Sequence, residues 1–196
     1  PPTVRFYLLS SIAHGVASGR GLCQQLQNPI SPGPALRALL AALTAWVVTG
    51  KEPPSSRVPR LSDGTLVPPL PQSTVGFPQI PGVAYTGVAS IRELYDYGPE
   101  FDRGIISIVP PVPTGRVYPT LVPKVTADGI DLAGVQLPDI AAPLGTYTGW
   151  NLLTTAPKDE CSAMGSFIPF AATKEQRLTT GDPRLSLAER YGTHSR

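Results

Sequence analysis

The sequence predicts an α/β fold that opens with a strand, a short loop and a long helix and continues as a loop-rich and β-rich extension. Three observations predict it: alternating apolar residues over 3–10, an apolar helical stripe over 34–50, and 24 prolines and 19 glycines among 196 residues. Proline stands at more than twice its usual share of about 5%. Turns and extended loops must therefore make up much of the chain.

The first predicted element is a strand over residues 3–10, "TVRFYLLS". Val4, Phe6 and Leu8 alternate with Arg5 and Tyr7, which is the period of a strand buried on at least one face. A loop of small residues follows it.

The second predicted element is a helix that begins near Pro34 and ends at Gly50. Proline suits a first helical turn, and glycine suits the left-handed position after a last turn. Spacings of three and four place six apolar side chains on one face, which we expect to pack against a sheet. These side chains are Leu36, Leu39, Leu40, Leu43, Trp46 and Val47.

Residues 53–196 are expected to hold only short elements, packed on residues 1–52 and not forming an independent domain. Asp128-Gly129 predicts a hairpin turn between two short strands. Ser186, with Glu189 three residues later, predicts the start of a final helix. Similar signals predict strands within 62–67 and 104–111 and a helix over 89–98 that begins at Ser90.

Composition excludes several functions. Charged residues make up 15% of the chain, below the roughly 25% of an average domain, and the net charge is only +2 with no basic cluster. Nucleic-acid binding therefore has no electrostatic basis. No apolar run reaches the length of a membrane span. Two distant cysteines cannot make a four-ligand zinc site. The chain has no P-loop, Gly-x-Gly-x-x-Gly or His-Glu-x-x-His motif, so we predict no metal and no cofactor.

His14 is the clearest candidate for a catalytic residue. It lies in the loop between the predicted strand and the predicted helix, where two buried elements would fix the imidazole in place. A catalytic triad needs such a ring to take a proton from a serine hydroxyl and return it to the leaving group. The ordinary alternative is a solvated loop residue, as we expect for His194 in the polar tail. The chain has no Gly-x-Ser-x-Gly nucleophile motif, so it holds no complete active site by itself.

Several blocks carry a family resemblance. They include "HG" at 14–15, "NP" at 28–29, "GVQLPDIAAPLGTYTGWNL" at 134–152 and "GDPRLSLAERYG" at 181–192. The chain resembles the C-terminal part of a family of esterase-like α/β-hydrolase domain proteins that are mostly uncharacterised. One departure is that Ile12 and Ala13 stand where family members often have the last two residues of Gly-Thr-Gln.

The resemblance implies the C-terminal portion of an α/β-hydrolase fold, with residues 1–52 as the last core strand, histidine loop and closing helix. It implies that His14 is the triad histidine of a serine-dependent carboxylic ester hydrolase. The serine and acid would lie before Pro1, so we expect a fragment or processed subunit. Its partner would be the N-terminal half of the same precursor, tightly associated, and its substrate a small ester. The alternative is a non-catalytic accessory or protein-binding module that presents proline-rich loops.

Four further residues are candidates with open alternatives. Tyr147 and Trp150 would line an acyl or alcohol pocket, or they serve only in packing, as aromatics in such segments usually do. Cys23 and Cys161 form one long-range disulfide if the protein is secreted or periplasmic, or they are two buried, reduced cysteines.

Overall fold

One long α-helix, four short α-helices, a single turn of 3-10 helix (Phe101–Arg103) and three antiparallel strand pairs form the structure, a computed structural model that describes residues 3–87 and 92–192. The helices are α1 (Gly33–Thr49), α2 (Gln72–Val75), α3 (Pro138–Ala141), α4 (Lys174–Thr180) and α5 (Leu187–Tyr191). The strands are β1 (Leu66–Val67), β2 (Glu93–Asp96), β3 (Val112–Val117), β4 (Val122–Pro123), β5 (Gly145–Thr148) and β6 (Ser166–Pro169). They pair as β1–β4, β2–β3 and β5–β6.

The opening segment differs from the predicted strand over 3–10. It is extended, but it makes only two single-residue parallel bridges, Tyr7 with Arg57 and Leu9 with Val135. The neighbouring segments on either side are irregular, so no continuous ladder forms. The segment nevertheless lies between them: the N–H of Ser10 donates to the carbonyl of Val135 at 3.0 Å.

The long helix confirms the predicted element, whereas the expected packing of its apolar face against a sheet stays a prediction. A proline stands in its first turn, and Gly50 adopts the left-handed conformation at its end, with φ of 74°. Ala35 is the one buried residue of α1. The described part of the chain has no sheet against this face, which leaves four of the six apolar side chains exposed: Leu36, Leu40, Leu43 and Val47. No helix in the described ranges is both long and apolar enough to cross a membrane.

Two apolar clusters form the core; β6 contributes to both, and β5 contributes to the first. One cluster contains Ile30, Ala35, Ile130, Leu137, Ile140 and Tyr147. The other contains Val75, Phe77, Ile80 and Ile168. Because the strands are short, the core depends on loop residues from distant parts of the sequence.

Arg184 holds the end of the chain against the β5–β6 pair. Its side chain is nearly fully buried and forms an ion pair with Asp182 at 2.6 Å. It also donates to the Thr146 hydroxyl and to the carbonyls of Ile168 and Pro169. Burial alone would raise the pKa of Asp182, but the hydrogen bonds and charge of Arg184 outweigh it and lower that pKa. The guanidinium is therefore paired on every side, as a buried charge requires.

The shorter predicted elements have mixed outcomes. The turn at Asp128-Gly129 is present, and so is the final helix, whose Ser186 and Glu189 form both bonds of a capping box. The strand in 62–67 is β1. The helix over 89–98 is wrong, because the chain is the strand β2 at 93–96; Ser90 lies outside the described residues, as does His194. The strand over 104–111 is also wrong, because the paired residues are those of β3.

Candidate active site

The loop that begins at Ser11 and carries His14, here called the histidine loop, is fixed by Asn28. The Asn28 side chain has no solvent exposure. The side-chain amide of Asn28 donates to the carbonyl of Ser11 at 2.9 Å and to the carbonyl of Thr148 at 3.1 Å. Its backbone N–H donates to the carbonyl of Met164 at 2.9 Å. One residue, through its side chain and its backbone, thus joins the loop to β5 and to the segment before β6. Buried amides of this kind stabilise a conformation only when their partners are all present.

The loop begins at Ser11, the one non-glycine residue with positive φ in the described ranges, at 54°. This conformation is costly for a residue with a side chain. Asp131 compensates, because its Oδ2 accepts a hydrogen bond from the N–H of Ser11 at 2.6 Å. In return, the N–H of Asp131 donates to the Ser11 hydroxyl at 2.9 Å.

The residues on either side of His14 are restrained by their contacts. A Cβ added at Gly15 would lie 2.5 Å from the Met164 sulfur, so a larger residue there would have to displace the end of the Met164 side chain. The N–H of Gly15 donates to the carbonyl of Ala163 at 3.2 Å, and Ala13 is buried. The imidazole of His14 itself is exposed, and none of the described residues forms a hydrogen bond with it. The backbone is held while the ring remains available to an outside partner.

A cavity of about 240 Å³, here called the aromatic cavity, lies beside the loop that carries His14. It is lined by side chains and backbone from residues 8–12, 75–87, 122–131 and 147–150. Ile12 lies on its wall, and a Cβ added at the neighbouring Gly149 would lie 3.4 Å from the Ile12 carbonyl oxygen. The histidine loop and the cavity therefore share a wall.

Tyr147 and Trp150 both line the aromatic cavity. Trp150 belongs to a cluster with Phe77, at 5.4 Å between ring centroids, and Tyr85, at 5.8 Å. Tyr147 is buried and stacks on Phe167 at 4.9 Å, so it also packs in the core. Burial raises the pKa of Tyr147 and of Tyr85, which keeps both phenols neutral near pH 7.

Asp131 is the site residue that sequence reasoning missed, since an acid beside a turn is ordinarily a solvated one. It is the one charged side chain among the described residues that line the cavity. Burial raises its pKa to about 6, against the opposing effect of the hydrogen bond from Ser11. The available signal was its position between Ile130 and Leu132, in an apolar stretch.

The structure joins Cys23 and Cys161 in a disulfide, across a sequence separation of 138 residues. Cys23 also forms a bridge with Leu153, and the N–H of Cys161 donates to the carbonyl of Asn151. The crosslink thus connects the loop after His14 to the segment that follows Trp150, a residue of the cavity wall. The described ranges contain no group of three or more His, Cys, Asp or Glu side chains able to hold a metal ion.

Comparison with known proteins gives one positive result. Neither the curated proteins nor the solved structures contain a match to this chain. The sequence profile of the alpha/beta hydrolase domain matches residues 9–196, which begins just before the histidine loop and covers nearly the whole chain. The chain therefore belongs to the alpha/beta hydrolase domain family.

Proposed function

We propose that this protein is a serine-dependent hydrolase of carboxylic esters in which His14 is the general base. The observation that carries the proposal is the arrangement at His14: an exposed imidazole on a backbone that hydrogen bonds of Asn28, Gly15 and Ser11 hold in place. A triad histidine needs this combination of a fixed position and an open face. Membership in the hydrolase family supplies the independent support.

The reaction would proceed by acyl transfer. An imidazole nitrogen of His14 removes the proton of a serine hydroxyl as its oxygen attacks the ester carbonyl. The imidazolium then protonates the departing alcohol, which leaves an acyl-serine. The same nitrogen next takes a proton from water, which attacks the acyl group, and finally returns that proton to the serine as the acid is released. We propose that the serine and the acid that orients His14 come from polypeptide outside residues 1–196.

The aromatic cavity is proposed to hold the acyl or alcohol part of the ester. Its wall includes Ile12, Tyr147 and Trp150, and it is concave and mainly apolar, as small-molecule sites are. Its position beside the histidine loop would place an apolar group next to the reacting carbonyl.

The exposed face of α1 supports a role as the closing helix of the hydrolase core. Leu36, Leu40, Leu43 and Val47 form a stripe too apolar for an ordinary surface helix. We propose that it packs on core strands supplied by the N-terminal half of the same precursor. Residues 1–52 would then complete that core, and residues 53–196 would form an extension packed on it. The disulfide favours an oxidising compartment, outside the cell or in the periplasm.

The test compares His14→Gln with His194→Gln, the matched change at the other histidine of the chain, in the full-length protein. We expect His14→Gln to lower kcat/KM for p-nitrophenyl butyrate by about 10⁴-fold or more, as for other triad members. His194→Gln should leave it unchanged, and both variants should unfold at the wild-type temperature. A fluorophosphonate probe should label one serine of the wild type. Undiminished turnover by His14→Gln would reject the role of His14, and absence of any labelled serine would favour the non-catalytic alternative.

A further inference from the structure

We propose that the aromatic cavity takes a protonated amine attached to a compact apolar group, with Asp131 as the counter-ion. This inference names a group that the substrate carries, and in that respect it rests on the proposed function. It is argued from the charge of the cavity, from its shape and from the titration of the side chains on its wall.

The charge of the cavity is unbalanced. One oxygen of Asp131, Oδ2, accepts the N–H of Ser11, while none of the described residues donates a hydrogen bond to Oδ1. No Lys, Arg or His in the described ranges lines the cavity. A partly buried carboxylate without a cation is unfavourable. A ligand that supplies the missing positive charge would therefore gain more than a neutral ligand of the same size.

The shape of the cavity suits an organic cation. Phe77, Tyr85 and Trp150 lie within 5.8 Å of one another, measured between ring centroids, and all three line the cavity. Aromatic faces attract ammonium groups, and Trp does so best. The volume is about 240 Å³, whereas an apolar cavity of about 150 Å³ already admits benzene. A substituted ring with a short aminoalkyl arm would fit.

The titratable side chains on the cavity wall set the pH range in which a protonated amine should be preferred to a neutral ligand. Asp131, with a pKa of about 6, is charged at pH 8 and mostly neutral at pH 5. The other titratable groups on the wall are Tyr85 and Tyr147, whose raised pKa values keep them neutral at both pH values. Only the carboxyl group of Asp131 changes charge on the cavity wall between these pH values, among the described residues.

The experiment measures binding without turnover, by isothermal titration calorimetry of the full-length protein with benzylamine, benzyl alcohol and benzoate. At pH 8 we expect benzylammonium to bind at least tenfold more tightly than benzyl alcohol, and benzoate to bind most weakly. Asp131→Asn keeps an acceptor for Ser11 but removes the charge, so benzylammonium and benzyl alcohol should bind this variant with about equal affinity. Asp102→Asn, an exposed acid outside the cavity, is the matched control and should keep the wild-type preference.

A second measurement does not depend on the variant folding. At pH 5 only about a tenth of the Asp131 carboxyl groups are ionised, given a pKa of about 6. The wild-type affinity for benzylammonium relative to benzyl alcohol should therefore fall about tenfold from its value at pH 8. Equal binding of the two ligands at pH 8, no binding of either, or an unchanged ratio at pH 5 would overturn the inference.

The outcomes also separate this inference from the proposed function. If His14→Gln abolishes ester hydrolysis but the wild type shows no preference for the amine, the inference alone fails. If the preference is present and disappears in Asp131→Asn while His14→Gln still hydrolyses esters, the cavity binds amines and the proposed function fails.

Discussion

Ser11 and Asp131 lie 120 residues apart in the sequence and bind each other through two reciprocal hydrogen bonds. The pair fixes the one left-handed non-glycine residue of the described ranges at the start of the histidine loop. It also places a carboxyl group on the wall of the aromatic cavity. The shape of the loop and the charge of the cavity therefore depend on the same two side chains.

The raised pKa of Asp131 predicts a contribution to stability that decreases as pH rises. The folded state keeps the proton up to a pKa of about 6, whereas the unfolded chain releases it near pH 4. The free energy of unfolding should fall by about 2–3 kcal/mol between these values for this group and stay level above them. Asp131→Asn should remove this dependence.

The measurement is urea unfolding of the wild type and Asp131→Asn from pH 4 to pH 8. The difference between the two proteins isolates Asp131 from carboxylates with the opposite trend, such as Asp182 and Glu189, whose pKa values are lowered. The variant should equal or exceed the wild type in stability at pH 8. A constant difference across this range would contradict the prediction, and Asp102→Asn provides the baseline.

Replacement of Arg184 should destabilise the protein strongly. In Arg184→Met the carboxylate of Asp182 loses the guanidinium, and the carbonyls of Ile168 and Pro169 lose the hydrogen bonds that it donates. Leaving one member of a buried ion pair alone costs about 3–5 kcal/mol. Arg103→Met removes the exposed ion pair with Glu100 and should cost less than about 1 kcal/mol. Similar unfolding midpoints for the two variants would show that the Arg184 network adds little.

The disulfide predicts a large loss of stability on removal. Its closed loop spans a separation of 138 residues, for which the chain-entropy estimate is about 4–5 kcal/mol. The double variant Cys23→Ser/Cys161→Ser and the reduced wild type should unfold at the same, lower urea concentration. Mass spectrometry of unreduced tryptic peptides should find Cys23 and Cys161 linked. Detection of both cysteines as free thiols in protein from its natural source would contradict the pairing.

The exposed stripe of α1 predicts different effects of two substitutions in the full-length protein. If core strands cover the stripe, Leu40→Gln should lower stability by about 2 kcal/mol or more. Ala38 is exposed and, at 100° per residue, lies on the opposite side of the helix. Ala38→Gln should change stability by no more than about 0.5 kcal/mol. Equal, small effects would mean that the stripe is not covered.

The sequence predicted elements whose signals are local. The helix α1, its ends at Pro34 and Gly50, the turn at Asp128-Gly129 and the capping box of the last helix all depend on residues a few positions apart. Such signals operate before any tertiary contact forms, so they can be recognised in a single sequence.

Features that depend on distant partners were not predictable in the same way. The opening segment has the alternation of a strand, but whether a ladder forms depends on Arg57 and Val135. The role of Asp131 depends on Ser11, 120 residues earlier. His14 and the two cavity aromatics could be named as candidates, because the residue types themselves carry the chemistry. That the two aromatics line a cavity beside the histidine loop could not be inferred from their spacing in the sequence.

The bonds of Asn28 have a consequence for protein synthesis. Its partners at Thr148 and Met164 leave the ribosome more than a hundred residues after it does. The segment that carries His14 cannot acquire its final shape on a nascent chain that ends before these partners. Maturation of the proposed active site therefore waits until these partners have been synthesised, and until residue 161 has emerged the thiol of Cys23 has no partner at Cys161 to oxidise with.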